Sequence, residues 1–379
     1  MARPVRFSAM SFAPARSVMN TLPAFSNPAQ VIKTDDFNPY RSGDYTVTAV
    51  NGTATQAAWN TAGVVLATPG TSATDSIYLA GQSYHLVMPG NQLWFDAKIA
   101  NRQVSNDYNL YCGLFDNVNP ASATNGIYFL KPSGGTTLNF VIKKAGTTTT
   151  FQNVGDLARP SGQTSVQDPN GSVGILTATQ SGGIYNSIVV TTPGAGYQVA
   201  PLVLATGTAG SGAQLYCQIG STSYGVQSFA QATLPSSTGI PYGSLVAPYI
   251  TSGGSSYTSS SVEVDPILDL QFYFDGKGRL IVGINGRQVM AIGGSAVEVG
   301  PYPVTPGSTY NLSTAGVGPN FSTVGTQLTT ALAPFQPPIG SFYNIAPQVL
   351  LQFATGILNT TANPRSMYMF EYNVGEELN

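Results

Sequence analysis

From Tyr45 onward the chain alternates apolar and polar positions in short runs. "YTVTAV" at 45–50 is followed by "SYHLVM" at 83–88, "LWFDAKIA" at 93–100, "YNLYCGLF" at 108–115, "GIYFLK" at 126–131 and "LNFVIKKA" at 138–145. Gly, Pro, Asn and Asp clusters separate them. A period of two, bounded by turn formers, is the signal of half-buried strands. The pattern resumes as "LDLQFYFD" at 268–275, turns at Asp275 to Gly278, runs "RLIVGI", turns at Asn285-Gly286 and continues as "RQVMAI". Asn-Gly between two apolar runs is a strong short-range hairpin signal. A last strand is expected over Ser366 to Val374, "SMYMFEYNV". Its alternation puts Met367, Met369 and Glu371 on one face and Tyr368, Phe370 and Tyr372 on the other. Runs at this spacing predict an all-β protein, a sandwich or jelly roll.

Between these strand-rich flanks a phrase occurs twice. "TTPGAGYQVAPLVL" starts at Thr191 and "TSGGSSYTSSSVEV" at Thr251. Tyr197 falls on Tyr257, Gly194 on Gly254, Val190 on Ile250, and Leu202 and Leu204 on Val262 and Val264. Gly194, Gly196 and Gly254 suit tight turns of positive φ, and Tyr197 and Tyr257 can fold back over those turns to bury their rings. Two copies of a small β-unit then stack to bury what neither buries alone. The block has no Lys or Arg from Pro160 to Gly276 and no charged residue from Pro169 to Val262. Residues 163–264 are therefore read as an inserted β-repeat domain, with 45–162 and 265–379 as the two parts of one jelly roll.

Residues 1–44 lack a strict period and carry Pro4, Pro14, Pro23, Pro28 and Pro39, which suits an extended N-terminal arm. Arg3, Arg6, Arg16 and Lys33 precede the first acid, Asp35. Phe7, Phe12, Leu22 and Phe25 are spaced along the arm as apolar anchors for grooves on a partner.

Composition sharpens this picture. Only 8% of the 379 residues are charged, while 42 Gly and 26 Pro disfavour helices. The formal net charge of −2 leaves no basic field to hold nucleic acid or an anionic membrane. The basic start has no apolar run of about seven residues behind it, and no stretch nears about 18 apolar residues, so neither a secretory signal nor a spanning helix is expected. Cys112 and Cys217 fall in different domains, which predicts two free thiols and fits synthesis in a reducing compartment.

Candidate chemistry is sparse. His85 is the one histidine, so any Ser-His-Asp or Cys-His arrangement would run through it; its strand neighbours make it a core or edge histidine. One His and two Cys cannot build a zinc site. Asp107, Asp116 and Asn117 lack tight calcium-ligand spacing and read as turn residues. Glu263 and Asp265 share a strand face, as paired glycosidase carboxylates do, but Pro266 follows at once. No nucleotide-binding glycine motif is present. The 20 Tyr and 17 Phe suit a core, or in part a sugar-stacking platform. No cofactor, metal or catalytic residue is expected.

The flanks, "LWFDAKIA", "YCGLFD", "NGIYFLK", "LNFVIKKAGTTTTF", "LQFYFDGKGRLIVGINGRQV" and "RSMYMFEYNV", resemble the concanavalin A-like (laminin G-like) jelly rolls of tailed-bacteriophage structural proteins. "PGAGYQVAP" resembles the Gly-Tyr-Pro β-repeats of phage virion proteins. Together these cover most of residues 45–379. The type most resembled is the capsid decoration, or cement, protein. That resemblance implies a non-enzymatic virion protein on the capsid surface, a homotrimer whose partner is the major capsid protein. The alternative it leaves is a tail-associated adhesin that binds host glycans.

Overall fold

The computed structural model describes residues 30–57, 63–88, 91–102, 107–164, 168, 171–220, 243–276, 278–293, 296–299 and 346–377. Among them there is no α-helix, and two antiparallel sheets face each other. One has the order Ala296–Val299, Arg287–Gly293, Leu280–Ile284, Ile267–Phe274, Gln92–Arg102, Arg365–Glu377, Val64–Thr68 and Thr53–Gln56. The other runs Thr147–Asp156, Thr137–Lys144, Gly126–Lys131, Tyr108–Phe115, Leu350–Asn359, Ser76–Leu86 and Tyr45–Val50. The protein is an all-β jelly-roll sandwich.

Alternation explains the core. In Gln92–Arg102 the side chains of Leu93, Phe95, Ala97 and Ile99 enter the space between the sheets, and Asp96 and Lys98 lie on the outer face. Phe272 stacks on Phe95 within one sheet at 4.8 Å, and Phe353 of the other sheet stacks on Tyr372 at 4.0 Å. Each such ring withdrawn from water contributes roughly 1.5–3 kcal/mol. Asn285 and Gly286 form the two-residue turn between Leu280–Ile284 and Arg287–Gly293, with φ of 53° and 72°.

Two expectations differ from the structure. The strict alternation in "SMYMFEYNV" is broken by a register shift between Met369 and Glu371. The extra residue moves Tyr372 into the core beside Met367 and Met369, and turns Glu371 to the outer face, 3.4 Å from Lys98 Nζ. The segment read as an arm also ends differently. Gln30–Asp35 pairs residue for residue with the C-terminal strand, from Gln30↔Glu377 to Asp35↔Tyr372. Phe37 follows it into the core, 5.3 Å from the Tyr45 ring and 5.7 Å from that of Tyr372. Such pairing satisfies backbone groups that an isolated Pro-rich segment would leave to water. Arg3, Arg6, Phe7, Phe12, Arg16, Leu22 and Phe25 lie outside the described residues.

Candidate functional site

The residues of the repeated phrase lie around a second hydrophobic cluster, which includes Leu176, Ala178, Tyr185, Tyr197, Val203, Leu215, Cys217, Leu245 and Tyr257. Its two halves match atom for atom at their turns. Gly174 N–H donates to the Tyr197 hydroxyl at 2.8 Å, and Ala213 N–H donates to the Tyr257 hydroxyl at 3.2 Å. Gly194 and Gly254 have φ of 62° and 65°. A Cβ there would lie 2.5 Å from Gly174 N in one half and 2.5 Å from Ala213 N in the other, so both conformation and space require glycine. Gly196 has φ of 98°.

The equivalence extends beyond the phrase. Leu176 pairs with Val190 as Leu215 pairs with Ile250, and Thr177 with Val189 as Tyr216 with Tyr249. Each hairpin shifts register at the same place, between Ile175 and Leu176 and between Gln214 and Leu215. The halves also clasp reciprocally. Tyr197 N–H donates to Gly243 O and Tyr257 N–H to Gly183 O. Such exchange of matching contacts is the mark of isologous pairing.

One element breaks the symmetry. Leu202–Ala205 pairs with Val262–Asp265, but Val203 faces Val264 rather than its own counterpart, Glu263. A slip of one residue inverts the faces of a strand. Leu202 and Leu204 consequently pack on Ala100 of the sandwich with Ile267, Tyr368 and Phe370, whereas Val262 and Val264 pack on the repeat's own cluster. The slip also presents Glu263 to Arg102, with an N–O distance of 3.0 Å. The repeat is thereby seated on the outer face of the larger sheet.

The same outer face carries two buried carboxyl groups, those of Asp96 and Asp269. Asp96 stands opposite Gln271, and Asp269 opposite Lys98. Gln271 Nε2 donates to Asp96 Oδ2 at 3.1 Å and to Asp269 Oδ2 at 2.9 Å. Burial, then the neighbouring carboxylate, raises the pKa of Asp96 well above the ordinary range, and burial raises that of Asp269. A proton on Asp96 relieves the repulsion between the two carboxylates. The pair can therefore hold and release one proton, with Lys98 and Glu371 at its partly exposed edge.

This is a different acid pair from the one the sequence singles out. Glu263 is engaged by Arg102, and Asp265 is buried at the junction of repeat and sandwich. Asp96 and Asp269 each alternate with core residues in their strands, a legible signal, but only the pairing of strands 173 positions apart joins them. His85 is buried, with Nδ1 3.9 Å from Glu376 Oε2, and burial lowers its pKa to about 4. Asp107 and Asp116 sit at opposite ends of Tyr108–Phe115. Asp107 accepts from Arg365 Nε and Nη2, and Asp116 from Thr124 N and Asn125 Nδ2. Asn117 accepts from Asn119 N. Among the described residues no group of three or more His, Cys, Asp or Glu is placed to hold a metal ion. Cys112 and Cys217 are buried free thiols.

No protein-family model matches the chain, and no curated protein sequence matches it. Solved structures similar to it include the cellulose induced protein Cip1, at 9% identity and a TM-score of 0.35, covering 90% of this chain and 96% of that one. The catalytic domain of an endo-1,3-beta-glucanase (laminarinase) from Thermotoga petrophila RKU-1 is similar at 8% identity and a TM-score of 0.35, covering 92% and 97%. Lectin I-B4 from Griffonia simplicifolia, in its metal-free form, is similar at 9% identity and a TM-score of 0.29, covering 92% of this chain and all of that one.

Proposed function

We propose that this chain is a structural, non-enzymatic protein of a tailed-phage virion that decorates the outer capsid surface and reinforces contacts between major capsid subunits as a homotrimer. The reading rests on the sequence resemblance, and the observation that carries it further is the anchoring of Gln30–Asp35 along the C-terminal strand. Residues 1–29, which are basic, Pro-rich and Phe-bearing, precede that ladder in the chain, and in this reading they are the arm that reaches the shell. An arm rooted in this way reaches a neighbouring subunit without loosening its own fold, and its proline content limits the entropy lost on docking. Salt-sensitive attachment follows from Arg3, Arg6 and Arg16.

The test is attachment of the full chain, and of a chain starting at Gln30, to undecorated capsids in a pelleting assay. Full-length protein pellets with shells and releases as salt rises, while the shortened chain stays in the supernatant. Equal pelleting of both would remove the arm from the contact. Quantitative gels of whole virions separate this reading, which requires hundreds of copies, from a tail-associated adhesin, which requires dozens or fewer.

A further inference from the structure

The two halves of the repeat share backbone pairing but differ at several outward-facing positions, of which one pair is aromatic in the second half alone. In the first half Thr177 stands opposite Val189; in the second, Tyr216 stands opposite Tyr249. The tyrosine rings are stacked, 5.2 Å apart and 15° from parallel, on the side of their hairpin away from the cluster, and Tyr249 is 44% exposed. The scaffold does not need rings at this place, because the first half folds the same ladder with Thr and Val. The pair thus answers to something outside the fold.

We propose that Tyr216 and Tyr249 form a binding site for a neutral glycan. The exposed Tyr249 ring, backed by the half-buried Tyr216 ring stacked on it, offers a flat apolar face to the C–H side of a pyranose. Gln214 and Thr251 lie next along the same face, joined by a hydrogen bond from Thr251 Oγ1 to Gln214 Oε1 at 3.1 Å. With Gln218 beyond Tyr216, they supply amide and hydroxyl groups to orient sugar hydroxyls. Charge selects the ligand class. From Pro169 to Val262 the chain has no Asp, Glu, Lys or Arg, so the patch offers no ion pair to an anionic polysaccharide or a charged peptide. An uncharged sugar is the ligand whose recognition needs none. The site stands independently of capsid attachment.

The experiment is affinity electrophoresis of the full chain in native gels containing dextran, laminarin or galactomannan, with an alginate gel as the anionic comparison. The variant is Tyr216→Thr with Tyr249→Val, which installs the residues that the same ladder carries in the first half; its melting temperature and its mobility in a plain gel report folding. Retardation of the parent chain in at least one neutral gel is expected, weakened at least tenfold in the double variant. The reciprocal variant, Thr177→Tyr with Val189→Tyr, is expected to bind at least as strongly as the parent. Absence of retardation in all three neutral gels, retardation by alginate alone, or equal retardation of parent and double variant would overturn the proposal.

Discussion

Replacing Tyr197 by Phe, and separately Tyr257 by Phe, tests whether the two halves of the repeat are held by the same device. Each substitution keeps the ring and removes one oxygen. In the first half that oxygen accepts the buried Gly174 N–H at 2.8 Å, and in the second the Ala213 N–H at 3.2 Å. Burial raises the pKa of Tyr197, so its hydroxyl stays neutral throughout the working pH range. An orphaned buried donor costs roughly 1–3 kcal/mol, more than the bond itself contributes net. The shorter bond at Tyr197 places its effect toward the upper end and that of Tyr257 toward the lower. Hydrogen exchange reads this directly, because 1–3 kcal/mol corresponds to exchange faster by roughly 5- to 150-fold. The acceleration should appear in Ile175–Ser181 and Ile184–Thr192 for the first variant, and in Ser211–Gly220 and Ser244–Ser255 for the second. Strand Tyr108–Phe115 in the sandwich should be unaffected and serves as the internal reference. A change below twofold in both variants, or equal acceleration in the sandwich strand, would refute the assignment.

Gly286→Val forces a β-branched residue to a φ of 72° and should destabilise the sandwich by about 1–3 kcal/mol, read as a lower urea midpoint. His85 folds with its pKa lowered to about 4, so the unfolded chain binds that proton more tightly. Its contribution is present above the unfolded value of about 6.5 and is lost as pH falls towards 4, with a slope of at most about 1.4 kcal/mol per pH unit; His85→Gln should flatten that limb of the stability profile. For Asp96 the sign is opposite: a raised pKa means stability falls as pH rises above the ordinary carboxylate value. Asp96→Asn, which is neutral at every pH, should therefore gain on the parent chain between pH 4 and pH 7 in paired urea titrations. A chain starting at Gln30 should keep the parent melting temperature, whereas one starting at Asp36 loses the ladder to the C-terminal strand and should melt several degrees lower.

Local rules made much of the architecture legible. Alternation in "LWFDAKIA" assigns Phe95, Ala97 and Ile99 to one face and Asp96 and Lys98 to the other, because side chains in a strand point up and down in turn. Asn285-Gly286 announces its hairpin because both positions demand positive φ. The repeated phrase discloses its equivalent glycines and tyrosines because turn geometry constrains the residues that make it. The first strands of the two halves are equivalent as well, yet their spacing conceals it. Leu176 and Leu215 are 39 positions apart, whereas Val190 and Ile250 are 60 apart, because the connection after Gly220 is longer than the two-residue turn after Ser181.

Tertiary structure alone decided the rest. A bulge in the C-terminal strand reversed the faces that strict alternation assigns to Glu371 and Tyr372, since an extra residue there is fixed by pairing with Gln92–Arg102 and not by the local pattern. The one-residue slip between Leu202–Ala205 and Val262–Asp265 gave equivalent residues opposite duties, and its reason lies in the docking of Leu202 and Leu204 on the sandwich. The carboxyl pair Asp96 and Asp269 exists only because two distant strands meet in one register, and burial there, which no sequence period encodes, is what raises their affinity for a proton.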